Sequence, residues 1–165
     1  MTNVSLISDL TTGGAAVACR RLVEGLGRVE GVSAGWIASS GPHRAGGVVA
    51  DHWPHLGRLA LCRLIRKVAP LSLAARRFER ATNAAQVLRL VRRARPDVIH
   101  LHNLHAALPF DFVTRLPQGV PVVWTLHDMW PLTGYCCYSY DCRKYVAGCT
   151  GECPQWGKWG ARVEG

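Results

Sequence analysis

No apolar run in this sequence approaches the roughly 20 residues that a helix needs to span a bilayer. The amino terminus also lacks a basic segment before its first apolar stretch, which Asp9 soon interrupts, so a secretory signal is not predicted. Both absences favour a cytoplasmic protein whose seven cysteines are mostly reduced. Repeats and low-complexity segments are absent as well, and 165 residues with 48% apolar content suffice for one core. We therefore expect residues 1–165 to form a single domain.

Acidic residues are scarce in the middle of the chain. From His52 to Arg95, eleven Arg or Lys residues accompany a single acid, Glu79, and the net charge of the whole chain is +9. Such a local positive field attracts anionic lipid surfaces, nucleic acid or phosphorylated substrates without choosing among them, or is simply a solvated arginine-rich face. Only one aromatic residue, Phe78, lies between Arg58 and Arg95, which argues against single-stranded nucleic acid because stacking residues are missing.

The apolar pattern predicts an α/β protein with a Rossmann-like parallel sheet and flanking helices. Residues 4–8 read as a strand, residues 11–16 (TTGGAA) as a glycine loop, and the apolar positions 15 to 26 as a helix. Residues 32–38 and 47–50 read as further strands. Strand, helix and strand alternate in this order when a sheet is parallel.

The second half of the chain continues this alternation. Residues 56–68 form a basic amphipathic pattern, which suits either an anionic membrane surface or core packing with solvated arginines. Thr82 or Asn83 is predicted to cap a helix that ends before Pro96 and turns Ala84, Val87, Leu88 and Val91 inward. A strand at 97–101, a crossover helix at 109–116 and a buried strand at 122–126 follow.

The glycine loop is the first candidate site. Gly13 and Gly14 allow the backbone to approach a ligand closely, and the helix that begins near Ala15 directs free amides toward an anionic phosphate. The loop lacks the full dinucleotide fingerprint and the acidic residue about 20 positions later, so NAD is not expected. The alternative is an ordinary tight turn.

The second candidate is the histidine-rich end of the strand at 97–101. Alternation along a strand places His100 and His102 on the same side. We interpret His100 as a satisfied, partly buried histidine. His102 and Asn103, nearer the sheet edge, are the predicted substrate-binding residues, although two histidines also suit a metal.

The third candidate follows the strand at 122–126. His127 and Asp128 supply hydrogen-bonding groups for sugar hydroxyls, and Trp130 supplies a flat apolar surface for a sugar ring. Trp130 is therefore a predicted substrate-binding residue of this loop. The alternative makes Asp128 a cap or turn residue and Trp130 a core side chain.

Five cysteines lie between positions 136 and 153. Four thiolates complete a tetrahedral zinc ion, and Cys136, Cys142, Cys149 and Cys153 are the natural set. A short loop without its own core gains most from such a clip. Free or redox-active thiols are the alternative, whereas a lasting disulfide is not expected in the cytoplasm.

Three motifs together resemble the amino-terminal half of bacterial family 4 glycosyltransferases. They are residues 95–103 (RPDVIHLHN), 124–134 (WTLHDMWPLTG) and 148–155 (GCTGECPQ). The resemblance is strong over residues 97–155 and weaker over residues 4–26. It implies the acceptor-side half of a GT-B enzyme, in which two Rossmann-like halves face each other across a cleft. We accordingly expect residues 1–165 to be an incomplete chain with a cysteine-rich insertion at 134–155.

The resemblance also implies the reaction. A hexosyl-type sugar would move with retention from a nucleotide-sugar donor to a hydroxyl of a cell-surface polysaccharide or lipid-linked acceptor. It places Gly13 and Gly14 beside the donor pyrophosphate and the acceptor. It places His127 beside the transferred sugar and the acceptor, which makes His127 and Asp128 the predicted catalytic pair. The donor-binding glutamate pair of the second half is absent here, so the isolated chain should be inactive. The basic helices could contact the inner face of the cytoplasmic membrane.

A different class of protein competes with this interpretation. A binding module would place the basic helices on nucleic acid or another anionic surface and the cysteines around zinc. Nucleic acid is the less favoured partner, for want of aromatic residues. Salt-dependent binding to an oligonucleotide, absent with anionic vesicles, would support this alternative.

Overall fold

The computed structural model describes residues 1–40, 48–49, 73–133 and 136–149. It divides into two compact units, residues 1–125 and residues 126–165. The domain assignment made from the sequence, one domain with a cysteine-rich insertion at 134–155, stays a prediction. The basic pattern at 56–68, positions 47 and 50 and Cys153 lie outside the described residues.

The first unit is built on a five-stranded parallel sheet in the order β3-β2-β1-β4-β5. Its strands are β1 (Thr2–Leu10), β2 (Val32–Ser40), β3 (Val48–Val49), β4 (Val98–Leu101) and β5 (Val122–Trp124). Helix α1 (Gly14–Leu26) follows β1, and helix α2 (Leu73–Ala94) precedes β4. A 3-10 helix, Phe110–Arg115, lies between β4 and β5. The predicted Rossmann-like α/β class is confirmed.

Helices pack on both faces of the sheet because β1 turns alternate side chains to opposite sides. Leu6 belongs to the apolar cluster that includes Ala16 and Cys19 of α1. Ile7, its neighbour in β1, belongs to the cluster that includes Val87 of α2. Two cores separated by one sheet are the arrangement of a doubly wound fold.

Helix α2 starts earlier than the sequence predicted. It begins at Leu73, so Thr82 and Asn83 lie inside it and the predicted cap was wrong. The segment before Thr82 is rich in Ala, Leu, Glu and Arg, which all favour helix, so nothing stops the helix there. The Thr82 hydroxyl donates to the Phe78 carbonyl (2.8 Å), one turn back, instead of capping a terminus. The predicted inward face is confirmed, with its four residues buried.

The carboxyl end of α2 agrees with the sequence. Arg95, which precedes Pro96, leaves the helix with φ +47°, because a residue before proline is disfavoured in helical geometry. The Asn3 side-chain amide donates to the Ala94 carbonyl (2.7 Å) and satisfies one of the carbonyls left open by the helix end. The start of β1 therefore closes the end of α2.

The last two elements of the first unit compare differently with the sequence prediction. The crossover helix predicted at 109–116 is present as a short 3-10 helix, Phe110–Arg115. Strand β5 ends at Trp124, and Val122 and Val123 are 43% and 49% exposed, so the prediction of a buried strand was wrong. Within the described sheet β5 is the outer strand and pairs on one side with β4, which leaves its side chains less covered.

The second unit is described from residue 126 to 149, except for residues 134 and 135. It contains a one-turn helix α3 (Trp130–Thr133) and a 3-10 turn, Lys144–Val146. Among its described residues, Cys136 and Ser139 are the buried ones. Hydrogen bonds from the Met129 amide to the Cys137 carbonyl (2.8 Å) and from the Thr133 hydroxyl to the Cys136 carbonyl (2.8 Å) hold it together. No helix among the described residues of either unit is long and apolar enough to cross a membrane.

Candidate functional site

The candidate site of the first unit lies at the carboxyl edge of its sheet. Since the strands are parallel, β1, β2 and β4 all end at this edge, and open α/β sheets bind ligands there. The segments that leave β1 and β4 are held together by a hydrogen bond from the Asp9 amide to the Asn103 carbonyl (2.7 Å). The glycine loop and Asn103 therefore share one edge of the sheet.

The glycine loop has the geometry predicted for it. Gly13 has φ +91°, a conformation that side chains rarely adopt, and it immediately precedes the first turn of α1. Its carbonyl accepts the first helical hydrogen bond, from the Val17 amide (3.0 Å). Among the described residues, no atom lies within 4 Å of a Cβ added at Gly13 or Gly14. The described part of the chain therefore leaves room for a ligand at the loop, and Ala15 and the rest of the first turn carry no acid that would repel an anion.

The two histidines at the end of β4 lie on the same side, as predicted. Their rings stack, with centroids 4.7 Å apart. The Nε2 atom of His100 is 2.7 Å from the Thr125 hydroxyl oxygen, which confirms the interpretation of His100 as a partly buried, satisfied residue. His102 is only 2% exposed, and its carbonyl accepts a hydrogen bond from the Trp124 indole (2.9 Å). His102 thus lies beneath the edge, and Asn103 is the more accessible of the two predicted binding residues.

Asp9 is a residue at this edge that the motif analysis did not assign to the site. It is the last buried residue of β1 and is 2% exposed. Its Oδ2 atom accepts a hydrogen bond from the Ala106 amide, and its carbonyl accepts one from the Ser39 hydroxyl (2.6 Å). The sequence feature that could have identified Asp9 is an acid near the end of an apolar strand, two residues before the glycine loop.

The surroundings of Asp9 change its ionisation. Burial raises the pKa of its carboxyl from 3.8 to about 7, because a charge is poorly solvated there. The amides of Ala106 and Ala107, the positive charge of Arg80 and the hydroxyl of Ser39 act in the opposite direction and favour the carboxylate. Among the described residues, the Ala106 amide binds Oδ2, and no hydrogen bond reaches Oδ1.

In the second unit, Asp128 has an evident structural role. Its Oδ1 atom accepts a hydrogen bond from the Trp130 amide (2.9 Å), directly at the start of α3. That is the turn-forming role weighed as the alternative to catalysis. His127 and Trp130 are both partly buried, so the side chain of Trp130 is not a fully enclosed core residue. The catalytic assignment of His127 and Asp128 stays a prediction.

The described cysteines of the second unit lie in different environments. Cys136 is buried, Cys137 and Cys142 are partly buried, and Cys149 is exposed. Burial and the nearby charge of Asp128 raise the pKa of the Cys137 thiol, which keeps it protonated and less reactive. Because Cys153 is not described, the four-thiolate zinc set stays a prediction.

A doubly wound parallel sheet with a glycine loop at its carboxyl edge defines a Rossmann-like domain that binds a ligand at the end of its strands. Comparison with known families then identifies the group: the chain belongs to glycosyltransferase family 4, whose model matches residues 12–151. The match covers the glycine loop of the first unit and His127, Asp128 and most cysteines of the second.

A curated relative agrees with this family. Over 73 residues the chain is 37% identical to a protein of Escherichia coli (strain K12) described as a colanic acid biosynthesis glycosyl transferase, WcaC. The alignment covers 39% of this chain and 18% of that protein, so the chain spans only a small part of its relative. No solved structure matches the chain.

Proposed function

We propose that this chain is the acceptor-side part of a glycosyltransferase that moves a sugar from a nucleotide-sugar donor to a hydroxyl of a cell-surface polysaccharide or lipid-linked acceptor. Membership of glycosyltransferase family 4 supports sugar transfer. The colanic acid relative supports a polysaccharide acceptor, since its printed name places it in the synthesis of such a polymer. The observation that carries the proposal is the open glycine loop at the carboxyl edge of the sheet.

The chemical difficulty of the reaction is the negative charge that builds up on the departing pyrophosphate. Fixed backbone amides stabilise such charge without reorganising during the reaction. The amides at the start of α1, beside Gly13 and Gly14, have no partner within the helix, and no described residue fills the space beside these glycines, which suits a phosphate oxygen. His127 is proposed to orient the transferred sugar and acceptor, and the product is proposed to retain its anomeric configuration.

Donor binding is proposed to need residues beyond these 165. The donor-binding glutamate pair expected in the second half of such enzymes does not occur in this sequence. We therefore expect nucleotide-sugar turnover to require a longer chain or a second subunit. Turnover by residues 1–165 alone would refute this part of the proposal.

Contact with the cytoplasmic face of the membrane is proposed as the way in which a lipid-linked acceptor reaches the site. Arg76, Arg77 and Arg80 are exposed in the first half of α2. The Arg80 guanidinium donates to the His105 carbonyl (3.0 Å), which locates this half of the helix at the carboxyl edge. Flotation with anionic vesicles at low salt tests the contact, and a chain that stays unbound there would exclude it.

A structural zinc ion is proposed for the second unit. Its described residues bury little apolar surface, and a segment of this kind gains stability from a metal clip. Cys136, Cys142 and Cys149 would hold the ion together with Cys153. When bound, zinc would supply cross-linking of the loop and no part of sugar transfer. Elemental analysis of protein purified without added metal should find about one zinc per chain.

Sugar transfer is tested with the longest chain that contains residues 1–165. Radiolabelled nucleotide sugars would be offered with membranes as acceptor, and label in polymer or lipid would be counted. The variant His127→Ala should lose most transfer while keeping its thermal unfolding temperature, because the side chain is partly buried and outside the sheet. Absence of transfer from every donor, by folded wild-type protein, would overturn the proposal.

A further inference from the structure

The segment after β4, residues 102–107, is fixed by polar contacts from two other elements; we name it the edge loop. From α2, the Arg80 guanidinium donates to the His105 carbonyl (3.0 Å) and the Asn83 amide donates to the Ala107 carbonyl (3.2 Å). From β1, the Asp9 carboxylate accepts from the Ala106 amide. Three consecutive residues of the edge loop are thus each bound by a different side chain.

Asp9 makes several hydrogen bonds at this edge of the sheet. Its amide donates to the Asn103 carbonyl (2.7 Å) while its carboxylate binds Ala106, so one residue holds both ends of a four-residue segment. Its own carbonyl accepts the Ser39 hydroxyl at the end of β2 (2.6 Å). Asp9 therefore joins β1, β2 and the edge loop at the point where the glycine loop begins.

Burying a carboxyl to make these contacts costs free energy, because the ionised group loses its hydration. Asn would supply the same acceptor oxygen without a charge, so hydrogen bonding alone does not explain an ionisable group in this place. A carboxylate accepts hydrogen bonds more strongly than a neutral oxygen does. The ionised form therefore holds the Ala106 amide more firmly than the neutral form, and the edge loop responds to the charge of Asp9.

We propose that Asp9 is a positioning residue, which fixes the edge loop and through it Asn103 at the carboxyl edge, more tightly when its carboxyl is ionised. The assignment rests on the proposed sugar transfer, in which Asn103 binds substrate. Asp9 does not touch the reacting atoms. Its effect on the reaction passes through the hydrogen bonds to Ala106 and Asn103.

The charged groups around Asp9 decide where its charge changes. Helix α2 contributes Arg80, whose positive charge favours the carboxylate. The edge loop contributes His102 and His105, and imidazoles titrate in the neutral range. Strand β2 contributes the uncharged Ser39, and the described glycine loop contributes no ionisable group. Burial places the pKa of Asp9 at about 7, so a neutral pH lies within its titration.

The experiment follows the backbone amide of Ala106 by NMR in the 165-residue chain between pH 5 and 9. In the wild type, the proton chemical shift of this amide should move downfield in one transition near pH 7, because the carboxylate accepts the hydrogen bond more strongly than the neutral carboxyl. Asp9→Asn should abolish the transition while the core amides keep their shifts. A transition that persists in Asp9→Asn would belong to His102 or His105 and would overturn the proposal.

Matched controls come from carboxylates and arginines of the same unit. Asp97 is exposed and also accepts a backbone amide, that of Asn3 (2.7 Å), so Asp97→Asn should leave the Ala106 transition unchanged. Arg80→Gln removes a charge that favours the carboxylate and should move the transition to higher pH. Arg89→Gln, on an exposed position later in α2, should not move it. Arg80 is exposed, so its variant tests the proposal even if Asp9→Asn does not fold.

The rate of sugar transfer is the second measurement. In the longer chain, Asp9→Asn should lower kcat/KM by roughly 10- to 100-fold, the loss that follows when a positioned group shifts by about 1 Å. In the wild type, kcat/KM should rise between pH 6 and 8 as Asp9 ionises, and this rise should be absent in Asp9→Asn. A wild type without transfer would refute the proposed function alone, whereas an active Asp9→Asn enzyme with an unchanged pH profile would refute the positioning role alone.

Discussion

The carboxylate of Asp9 and the amide of Ala106 form a partly buried hydrogen bond between residues 97 positions apart in the sequence. Burial raises the pKa of the Asp9 carboxyl to about 7, against 3.8 for the unfolded chain. The folded state therefore binds more protons than the unfolded state between these two values. Burial of the Asp9 carboxyl therefore makes the stability of the fold depend on pH.

The stability that Asp9 contributes should fall as pH rises. It is fully present below about pH 4 and is lost as pH rises through about 7, with a slope of up to about 1.4 kcal/mol per pH unit. In Asp9→Asn this slope should vanish. Urea unfolding of the 165-residue chain at several pH values measures the difference, and Asp97→Asn is the control. Parallel pH curves for wild type and Asp9→Asn would contradict the prediction.

Two glycines of α1 offer a test of ligand approach. An added Cβ meets nothing within 4 Å at Gly14 or at Gly25, so alanine at either position should stabilise the fold by about 0.4–1 kcal/mol. Gly14 begins α1 beside the glycine loop, and Gly25 lies near its other end. Gly14→Ala should nevertheless reduce sugar transfer by about tenfold or more, because the methyl group obstructs a phosphate at the amides. Gly25→Ala should keep full activity. Equal activity of both variants would show that the glycine loop does not bind the phosphate.

Asp128 allows a structural role and a catalytic one to be separated. Asp128→Asn keeps an oxygen for the Trp130 amide, whereas Asp128→Ala loses it at a cost of about 1 kcal/mol. If the residue only forms the turn, Asp128→Asn should retain transfer and the slow hydrogen exchange of the Trp130 amide. If it acts in catalysis, Asp128→Asn should lose transfer with that amide still protected. Mass spectrometry of exchanged peptides and the transfer assay distinguish the two.

The thiols should differ in their rates of alkylation. Burial raises the pKa of Cys19 to about 12, and Cys136 is buried, so both should resist iodoacetamide in folded protein. Cys149 is exposed and should react first once a chelator has removed zinc. Without the chelator, a bound ion should protect it. Mass spectrometry of the alkylated peptides checks both conditions, and identical rates for Cys149 with and without chelator would refute a zinc ligand there.

The local elements that the sequence predicted were those with a clear period. The strand at residues 4–8, the glycine loop and α1 follow from a continuous apolar run, two glycines and helical spacing, which act over a few neighbours. The inward face of α2 was predicted for the same reason. Its start was not, because Asn83 looks like a local cap, whereas its amide binds Ala107, 24 residues away.

The candidate site was predicted unevenly for a related reason. Gly13 and Gly14 were predicted because a glycine pair directly before a helical apolar pattern indicates a loop whose backbone conformation other residues rarely adopt. Asp9 was missed as a site residue because its partners, Ser39 of β2 and Ala106 of the edge loop, are distant in the sequence. The exposure of Val122 and Val123 in β5 was missed because burial of a strand depends on which strands and helices lie beside it.

The sequence by itself determined the alternation of strands and helices, the glycine loop and the resemblance to family 4 glycosyltransferases, since these depend on residue type and short-range spacing. Only the tertiary structure decided that His102 is buried, that Arg80 and Asn83 hold the edge loop, and that Asp9 titrates near neutral pH. Desolvation and hydrogen bonding between distant segments arise when the chain is packed, so no local pattern in the sequence encodes them.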